Sequence, residues 1–240
     1  MKEARYFYCP EADETNLLPQ EEATHALRVL RLQSGDELFL IDGKGNFYRA
    51  EVALATNKRL TYNILETMPQ QKTWHGDIHL AIAPTKNMDR IEWMTEKITE
   101  IGFDHLSFLE CKFSERKQIR IDRVDKIVVS AVKQSRKPWK PLVDEMISFK
   151  QFIDANKGKH GYIAHCYNEF PKKDLFSELQ TIDRNEEVIV MVGPEGDFSV
   201  DEVKYALDNG FESISLGESR LRTETAGLMA VTMAQLIKRR

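Results

Sequence analysis

Residues 188–198 read VIVMVGPEGDF, and this stretch decides the fold. Five consecutive apolar residues predict a β-strand buried on both faces, which is typical of a parallel sheet covered by helices. The glycines that follow permit a tight turn and a close approach of a ligand to the backbone. Ser199 and Glu202 can form a capping box for the next helix. The segment is therefore either an ordinary strand-to-helix turn or a preorganised ligand loop, since open α/β sheets bind ligands beyond strand carboxyl ends.

The alternation of strand and helix continues across residues 71–240, which predicts an α/β domain with a mostly parallel sheet. Strands are predicted at 78–83, 105–109, 162–165, 187–192 and 213–216. Helices are predicted at 88–101, 121–135, 149–155, 172–179, 200–209 and 224–238. In the first helix, the apolar residues Ile91, Met94, Ile98 and Ile101 form one stripe, which we assign to the core.

The first seventy residues have a different pattern, which predicts a small β-barrel or sandwich. Alternating runs predict strands at 5–8, 37–41, 47–54 and 60–65, and helical spacing predicts one helix at 21–30. Residues 67–76 lack periodicity and contain Pro69 and Gly76, so we predict that they form a linker. The predicted domains are 1–70 and 71–240.

The net charge of −4 hides a basic segment between Cys111 and Pro141, which contains ten basic and three acidic residues. This segment is either a phosphate-binding surface or a solvated helix face. No apolar run approaches the roughly 20 residues that span a bilayer, and the N-terminus lacks the apolar segment of a signal peptide. The cysteines form no metal-binding pair, so we expect reduced thiols, no metal site and a cytoplasmic protein.

A second loop, GESRLRTETAG, covers residues 217–227. Thr223 is predicted to cap the last helix, which is apolar nearly all round and must be buried by the sheet or by another subunit. Arg220 and Arg222 either hold a phosphate or a substrate carbonyl or form ion pairs with nearby glutamates. The sequence contains no GxGxxG, phosphate-loop or GxSxG motif.

Together, GPEG at 193–196 and LRTETA at 221–226 resemble the two cofactor loops of the SPOUT methyltransferases. HALRVLRL at 25–32 resembles the PUA-like RNA-binding domain of the RsmE branch of that superfamily. EKITEIG at 96–102 and AVKQSR at 131–136 resemble the first methyltransferase helix and the basic middle segment of the same branch. The sequence departs from the pattern at Asp197, where a second glycine is usual, and at 218–220, where a Pro-Arg pair is common.

The resemblance implies a SPOUT-type α/β domain with a deep trefoil knot, preceded by a PUA-like β-barrel, in a homodimer. It implies S-adenosylmethionine as the cofactor and N3-methyluridine as the product, at one site in the decoding region of 16S rRNA in the small ribosomal subunit. The implied cofactor-binding residues are His165, Val192, Gly193, Pro194, Glu195, Gly196, Leu216, Gly217, Arg220, Leu221, Arg222 and Thr223.

Methylation of uridine N3 requires a group that removes the N3 proton or stabilises the anion that results. We predict that Arg222 holds the uracil oxygens as negative charge spreads onto them. Glu195 is a candidate for the general base that removes the N3 proton, although the sequence does not rank it against Asp197, Glu218 and Glu224. The predicted RNA-binding residues are Arg5, Arg28, Arg31, Lys112, Arg116, Arg136 and Lys137.

Several alternatives stay open at this point. The chain fits a SPOUT methyltransferase that acts on tRNA or on ribose, and it fits a non-catalytic ribosome-binding factor that has kept the knot. Tyr6, Phe7 and Trp139 either stack on RNA bases or pack in the core. His165 and Cys166 end a predicted strand and are expected to border the pocket.

Overall fold

The computed structural model describes residues 5–239, which form two compact units. One unit comprises the chain up to Lys72 together with Val129–Lys140, and the other comprises Thr73–Val128 and the chain from Pro141 onward. The sequence placed one boundary between residues 70 and 71 and did not anticipate the return of Val129–Lys140 to the first unit. The first four residues, which entered the prediction that no signal peptide is present, lie outside the described residues.

The first unit is built on a four-stranded sheet in the order β1-β2-β3-β4. Strand β1 is parallel to β2, whereas β2, β3 and β4 are antiparallel neighbours. Its elements are β1 (Tyr6–Tyr8), α1 (Gln20–Thr24), a π-helical turn (His25–Val29), β2 (Glu37–Ile41), β3 (Asn46–Ala55) and β4 (Leu60–Pro69). The sequence predicted a small barrel or sandwich here; within residues 5–239 no pairing joins β1 to β4, so these four strands form an open sheet.

Two predictions for this unit are corrected by the structure. The predicted helix at 21–30 changes to π geometry after Thr24, where the Leu30 N–H donates to the His25 carbonyl, and it ends before Arg31. The predicted linker at 67–76 begins as strand, because β4 continues to Pro69 through its pairing with β3. Backbone pairing extends this strand beyond the part that side-chain alternation marks.

The second unit contains a parallel sheet in the order β10-β12-β9-β11-β5-β6-β7, and β8 pairs with β6. Its strands are β5 (Ile78–Ile82), β6 (His105–Glu110), β7 (Leu142–Val143), β8 (Ile147–Ser148), β9 (His160–Ala164), β10 (Lys173–Asp174), β11 (Val188–Val192) and β12 (Glu212–Ser215). Its helices are α2 (Met88–Ile101), α3 (Ile121–Ser135, which ends in the first unit), α4 (Phe149–Ala155), α5 (Leu175–Leu179), α6 (Val200–Asp208) and α7 (Thr223–Lys238).

Strand β11 lies in the interior of this sheet and is buried along its whole length, as its apolar sequence predicted. Val188, Val190 and Val192 face the cluster that includes α2 and α7, while Ile189 and Met191 face the cluster that includes α4 and α6. Helices therefore cover both faces of the sheet, which confirms the α/β class. No helix between residues 5 and 239 is long and apolar enough to cross a membrane.

Candidate active site

The candidate site lies where β9, β11 and β12 end. These strands are parallel neighbours, so the loops that leave their carboxyl ends come together beside the start of α7. They enclose a cavity of about 620 Å³, within the usual size range of small-molecule sites. The predicted cofactor residues that line it are His165, Val192, Gly193, Pro194, Glu195, Leu216, Gly217, Arg220, Leu221, Arg222 and Thr223. Gly196 lies in the same loop but does not line the cavity; a Cβ added there would stand 3.2 Å from the Phe113 Cβ.

The loop after β11 is fixed at both of its ends. Ser199 caps α6, and the Glu202 side chain accepts from the Ser199 N–H, so the predicted capping box is confirmed. Asp197 adopts a positive φ of 67°, a conformation that asparagine and aspartate tolerate better than most residues. Its Oδ2 accepts from the Cys166 N–H at 2.8 Å, and its Oδ1 accepts from the Phe198 N–H at 2.8 Å. The aspartate thus ties the loop after β11 to the loop after β9.

The loop after β12 turns at Gly217, whose φ is 116°. The chain then reaches α7, where the prediction that Thr223 caps the helix is wrong. Arg222 occupies the cap position, Thr223 is the first helical residue, and the Thr223 Oγ1 donates to the Gly193 carbonyl at 3.2 Å. The hydroxyl therefore joins α7 to the loop after β11 instead of satisfying an amide of its own helix.

The two arginines predicted for this loop are both exposed and both line the cavity. Within the described chain, neither Arg220 nor Arg222 forms an ion pair with Glu218 or Glu224. The ion-pair alternative is thus not realised, and both guanidinium groups remain available to a ligand. A third arginine of the cavity wall, Arg90 in the first turn of α2, was not anticipated from the sequence.

The four candidate carboxylates have different surroundings. The Glu195 Oε1 accepts from the Lys86 N–H at 2.9 Å, and its Oε2 has no hydrogen-bond partner among residues 5–239. Both oxygens of Asp197 accept backbone hydrogen bonds, and Glu218 is exposed. Glu224 is buried, its Oε1 lies 3.8 Å from the Arg90 Nε, and its Oε2 has no partner. Glu195 is the one that is both held in place and exposed to an incoming substrate.

His165 forms part of the cavity wall, and Cys166 lies beside it, as expected. The His165 Nε2 is 2.9 Å from the Ser213 Oγ, and the ring packs against Tyr167 and Phe170. Burial lowers the pKa of His165, although Asp197 acts in the opposite direction. Burial also raises the pKa of the Cys166 thiol, with a further contribution from Asp197. At neutral pH the wall therefore presents a neutral imidazole and a protonated thiol.

In the second unit, the predicted RNA-binding residues are Lys112 and Arg116. The Lys112 Nζ lies 3.6 Å from the Asp201 Oδ2, in an exposed pair. Arg116 is used inside the protein, because its guanidinium donates to the Thr85 and Lys86 carbonyls at 3.1 and 2.6 Å. It fixes the loop between β5 and α2, the same loop that Glu195 contacts.

In the first unit, Arg28 and Arg31 are exposed, but they do not share a helix face as predicted. Arg31 lies beyond the π-helical turn with a φ of 55°. The Arg136 guanidinium lies over the Tyr6 ring, 5.3 Å from its centroid. Of the two roles left open for Tyr6, this contact favours packing within the protein. Burial lowers the pKa of Lys137.

The other aromatic residues of the first unit also have structural partners. Phe7 is fully buried in its core, so it does not stack on RNA. The Trp139 ring covers Gly45 so closely that a Cβ there would come within 2.4 Å of it. Arg5 is half-buried at the edge of the sheet, where its carbonyl accepts from the Phe39 N–H.

A parallel sheet covered by helices, with a cavity beyond its strand ends and glycine-bearing loops around it, is typical of the α/β proteins that bind small molecules at this edge. Residues 72–235 match the RNA methyltransferase domain family, and residues 18–65 match the RNA methyltransferase PUA domain family. The chain therefore belongs to the RNA methyltransferase family and carries its PUA domain.

Individual relatives agree with this assignment. The chain is 30% identical to ribosomal RNA small subunit methyltransferase E of Synechocystis over 206 aligned residues. The alignment covers 85% of this chain and 67% of that protein. A probable rRNA-methyltransferase from Porphyromonas gingivalis is similar in structure, with a TM-score of 0.90, 41% identity and 98% of each chain covered. Ribosomal RNA small subunit methyltransferase E from Neisseria gonorrhoeae, bound to S-adenosyl methionine, has a TM-score of 0.80, 27% identity and 98% coverage of each chain.

Proposed function

We propose that this protein transfers a methyl group from S-adenosylmethionine to N3 of a specific uridine in the decoding region of 16S rRNA, in the small ribosomal subunit. The observation that carries the proposal is the convergence of the two predicted loops around one cavity. The similarity to ribosomal RNA small subunit methyltransferases over most of the chain supports this substrate class.

The cavity suits S-adenosylmethionine in size and in chemistry. Its volume of about 620 Å³ is sufficient for a nucleoside joined to an amino acid. The glycine-bearing loops supply backbone groups for the adenosine, and Leu216, Leu221 and Val192 supply apolar surface. The bound cofactor would supply an electrophilic methyl group on a sulfonium, so the protein must mainly align the two reactants. The binding of S-adenosyl methionine by the Neisseria protein supports this choice.

Arg222 and Glu195 are the catalytic residues of the proposal. Arg222 is exposed at the start of α7, and its guanidinium has no partner among residues 5–239, so it is free to hold the uracil oxygens. Glu195 is fixed by the Lys86 N–H through one oxygen, which leaves the other to accept the N3 proton of the uridine. Loss of this proton leaves an electron pair on N3. The bound cofactor would supply the methyl group, and the electron pair of its broken carbon–sulfur bond would stay on the sulfur, which leaves as a neutral thioether.

We further propose that the PUA domain holds the rRNA through Arg5, Arg28 and Arg31, with Arg136 and Lys137 in the same unit. The exposure of Arg28 and Arg31 supports phosphate contacts. Lys112 contributes a further phosphate contact. Arg116 acts indirectly, by shaping the loop between β5 and α2.

The finer architecture belongs to the same proposal. After β12, which lies on the far side of β9 from β11, the chain returns to the end of β11 at the contact of Thr223 with Gly193. This return supports a deep trefoil knot. Exposed Trp93 on α2, together with Met229 and Leu236 on α7, supports a homodimer that covers these apolar side chains. An enzyme with this substrate acts in the cytoplasm, where ribosomal subunits are.

The test is primer extension on 16S rRNA from cells that lack the protein. N3 methylation blocks the pairing edge, so reverse transcriptase should stop at the target uridine only when the enzyme is present. Complementation with Arg222→Ala should fail to restore the stop, because loss of one charge-stabilising donor costs about 10²–10³-fold in rate. Arg123→Gln, which alters an ion pair with Glu92 outside the cavity, is the matched control and should restore it.

Other outcomes separate the alternatives. A stop that persists without the protein would reject the assignment. Altered tRNA or ribose methylation in a nucleoside mass spectrum would favour another RNA substrate. Failure of the purified protein to bind S-adenosylmethionine at millimolar concentration, measured by calorimetry, would favour a non-catalytic ribosome-binding factor.

A further inference from the structure

Arg90 is a cavity residue to which the proposed function assigns no role. It lies in the first turn of α2, and its side chain is 39% exposed. Its Nε is 3.8 Å from the Glu224 Oε1. Neither of its Nη atoms has a hydrogen-bond partner among residues 5–239. The guanidinium therefore has one edge directed at a carboxylate of α7 and one edge without a protein partner.

Glu224 has the reverse character, because its side chain is buried and the ion pair with Arg90 is its one polar side-chain contact among residues 5–239. Its side chain is only 9% exposed, and its Oε2 is buried without a hydrogen-bond partner. A buried carboxylate is costly unless a positive group lies near it. Glu224 stands in the first turn of α7, where the amide groups of the helix also favour a negative charge. The glutamate thus places a negative charge within ion-pair distance of the Arg90 guanidinium at the cavity wall.

The unpartnered edge of a guanidinium suits a carboxylate, which it binds through two parallel hydrogen bonds. S-adenosylmethionine carries one such group, on its amino-acid part. The other cations that line the cavity are Lys172, Arg220 and Arg222, of which the two arginines are exposed and accessible to RNA. Arg90 is half-buried and oriented by a neighbour, so it is better suited to a ligand that enters the cavity.

We infer that Arg90 binds the carboxylate of S-adenosylmethionine and that Glu224 is the residue that positions Arg90. This inference rests on the proposed cofactor, and it assigns the end of the cavity next to α2 and α7 to the amino-acid part of that molecule. Glu224 acts only through Arg90, so both residues should affect the same part of the cofactor.

The test compares two ligands by calorimetry on the full-length protein: S-adenosylmethionine and its decarboxylated form, which lacks only the carboxylate. Arg90→Gln should weaken binding of S-adenosylmethionine by about 10- to 100-fold, the range for a charged hydrogen-bonded pair. Binding of the decarboxylated ligand should change less than about 3-fold. Arg90→Lys, which keeps the charge but loses the two-pronged geometry, should fall between the wild type and Arg90→Gln.

Glu224→Gln should also reduce the preference for the carboxylated ligand, which a purely structural role would leave intact. Arg123→Gln removes the same charge from an ion pair outside the cavity and should leave both affinities unchanged. The inference would be overturned if Arg90→Gln weakened the binding of both ligands equally. It would also be overturned if Lys172→Gln, but not Arg90→Gln, lost the preference for the carboxylated ligand. If the wild-type protein binds neither ligand, the proposed function itself fails, and the inference fails with it.

Discussion

Asp197 stands where the resemblance leads one to expect glycine, and we predict that its replacement by alanine destabilises the protein more than its replacement by glycine. Its φ of 67° is unfavourable for any residue with a Cβ, and its carboxylate accepts hydrogen bonds from the Cys166 and Phe198 N–H groups. Alanine loses both bonds and retains the strained backbone. Glycine loses both bonds but relieves the strain.

The magnitudes determine the order of the variants. A hydrogen bond to a charged group contributes about 1.5–3 kcal/mol when buried, and the partial exposure of Asp197 reduces the two bonds together to about 2 kcal/mol. The left-handed conformation costs alanine a further 1–2 kcal/mol, roughly. Glycine also gives the unfolded chain more conformational freedom, which lowers the stability of the variant by about 0.4–1 kcal/mol. Asp197→Ala should therefore lose about 3–4 kcal/mol and Asp197→Gly about 2–3 kcal/mol.

Urea denaturation of the purified variants measures this difference directly. Asp197→Asn is the matched control, because asparagine tolerates the same backbone conformation but has only one carbonyl oxygen to accept hydrogen bonds. It should be more stable than Asp197→Ala. If Asp197→Ala is as stable as Asp197→Gly, the backbone at this position is not strained and the reasoning is refuted.

Two further predictions concern the sheet. Gly161→Ala should cost about 1–3 kcal/mol, because its Cβ would lie 2.2 Å from the Phe211 ring; thermal melting should show partial recovery in Gly161→Ala with Phe211→Leu, and its absence would contradict the clash. The His79 ring, whose Nδ1 lies 3.6 Å from the Glu187 Oε1, and the Lys159 ammonium, 2.8 Å from the Oε2, lower the pKa of Glu187 to about 2 from an ordinary value near 4.5, although burial opposes them. The folded state thus binds this proton less readily than the unfolded state. The contribution of Glu187 to stability is therefore complete above about pH 4.5 and is lost as the pH falls towards 2. Glu187→Gln should make the free energy of unfolding less dependent on pH across that window, and an unchanged slope would contradict the assignment.

The helices of the second unit were predictable wherever local signals mark their ends. The bounds of α2 and α4 agree with the prediction, since Asn87 and Ser148 cap them with side-chain hydrogen bonds. Strands β7, β8 and β10 were missed because each has two residues, too few for any periodicity. Their existence depends on pairing with distant strands, which no local pattern encodes.

The site was predictable to a similar degree. Two glycine-bearing loops identified most residues of the cavity, because parallel strands bring their carboxyl ends to one edge of the sheet. Arg90 was missed because only tertiary structure places the start of α2 next to the start of α7. Thr223 was assigned the wrong role because a hydroxyl at a helix start bonds whichever partner lies nearest, and here that partner is the Gly193 carbonyl.

The polar groups of the cavity divide into those that join loops and those that remain for a ligand. Each loop-joining contact pairs a side chain with the backbone of a different loop, so the wall is held before anything binds. These contacts are Asp197 with Cys166, Glu195 with Lys86, and Thr223 with Gly193. Arg222, the Nη edge of Arg90 and the second oxygen of Glu195 have no such partner among residues 5–239. Because these contacts already fix the cavity wall, little free energy is lost in ordering the wall when a ligand binds. The unpartnered groups are then available to interact with the ligand.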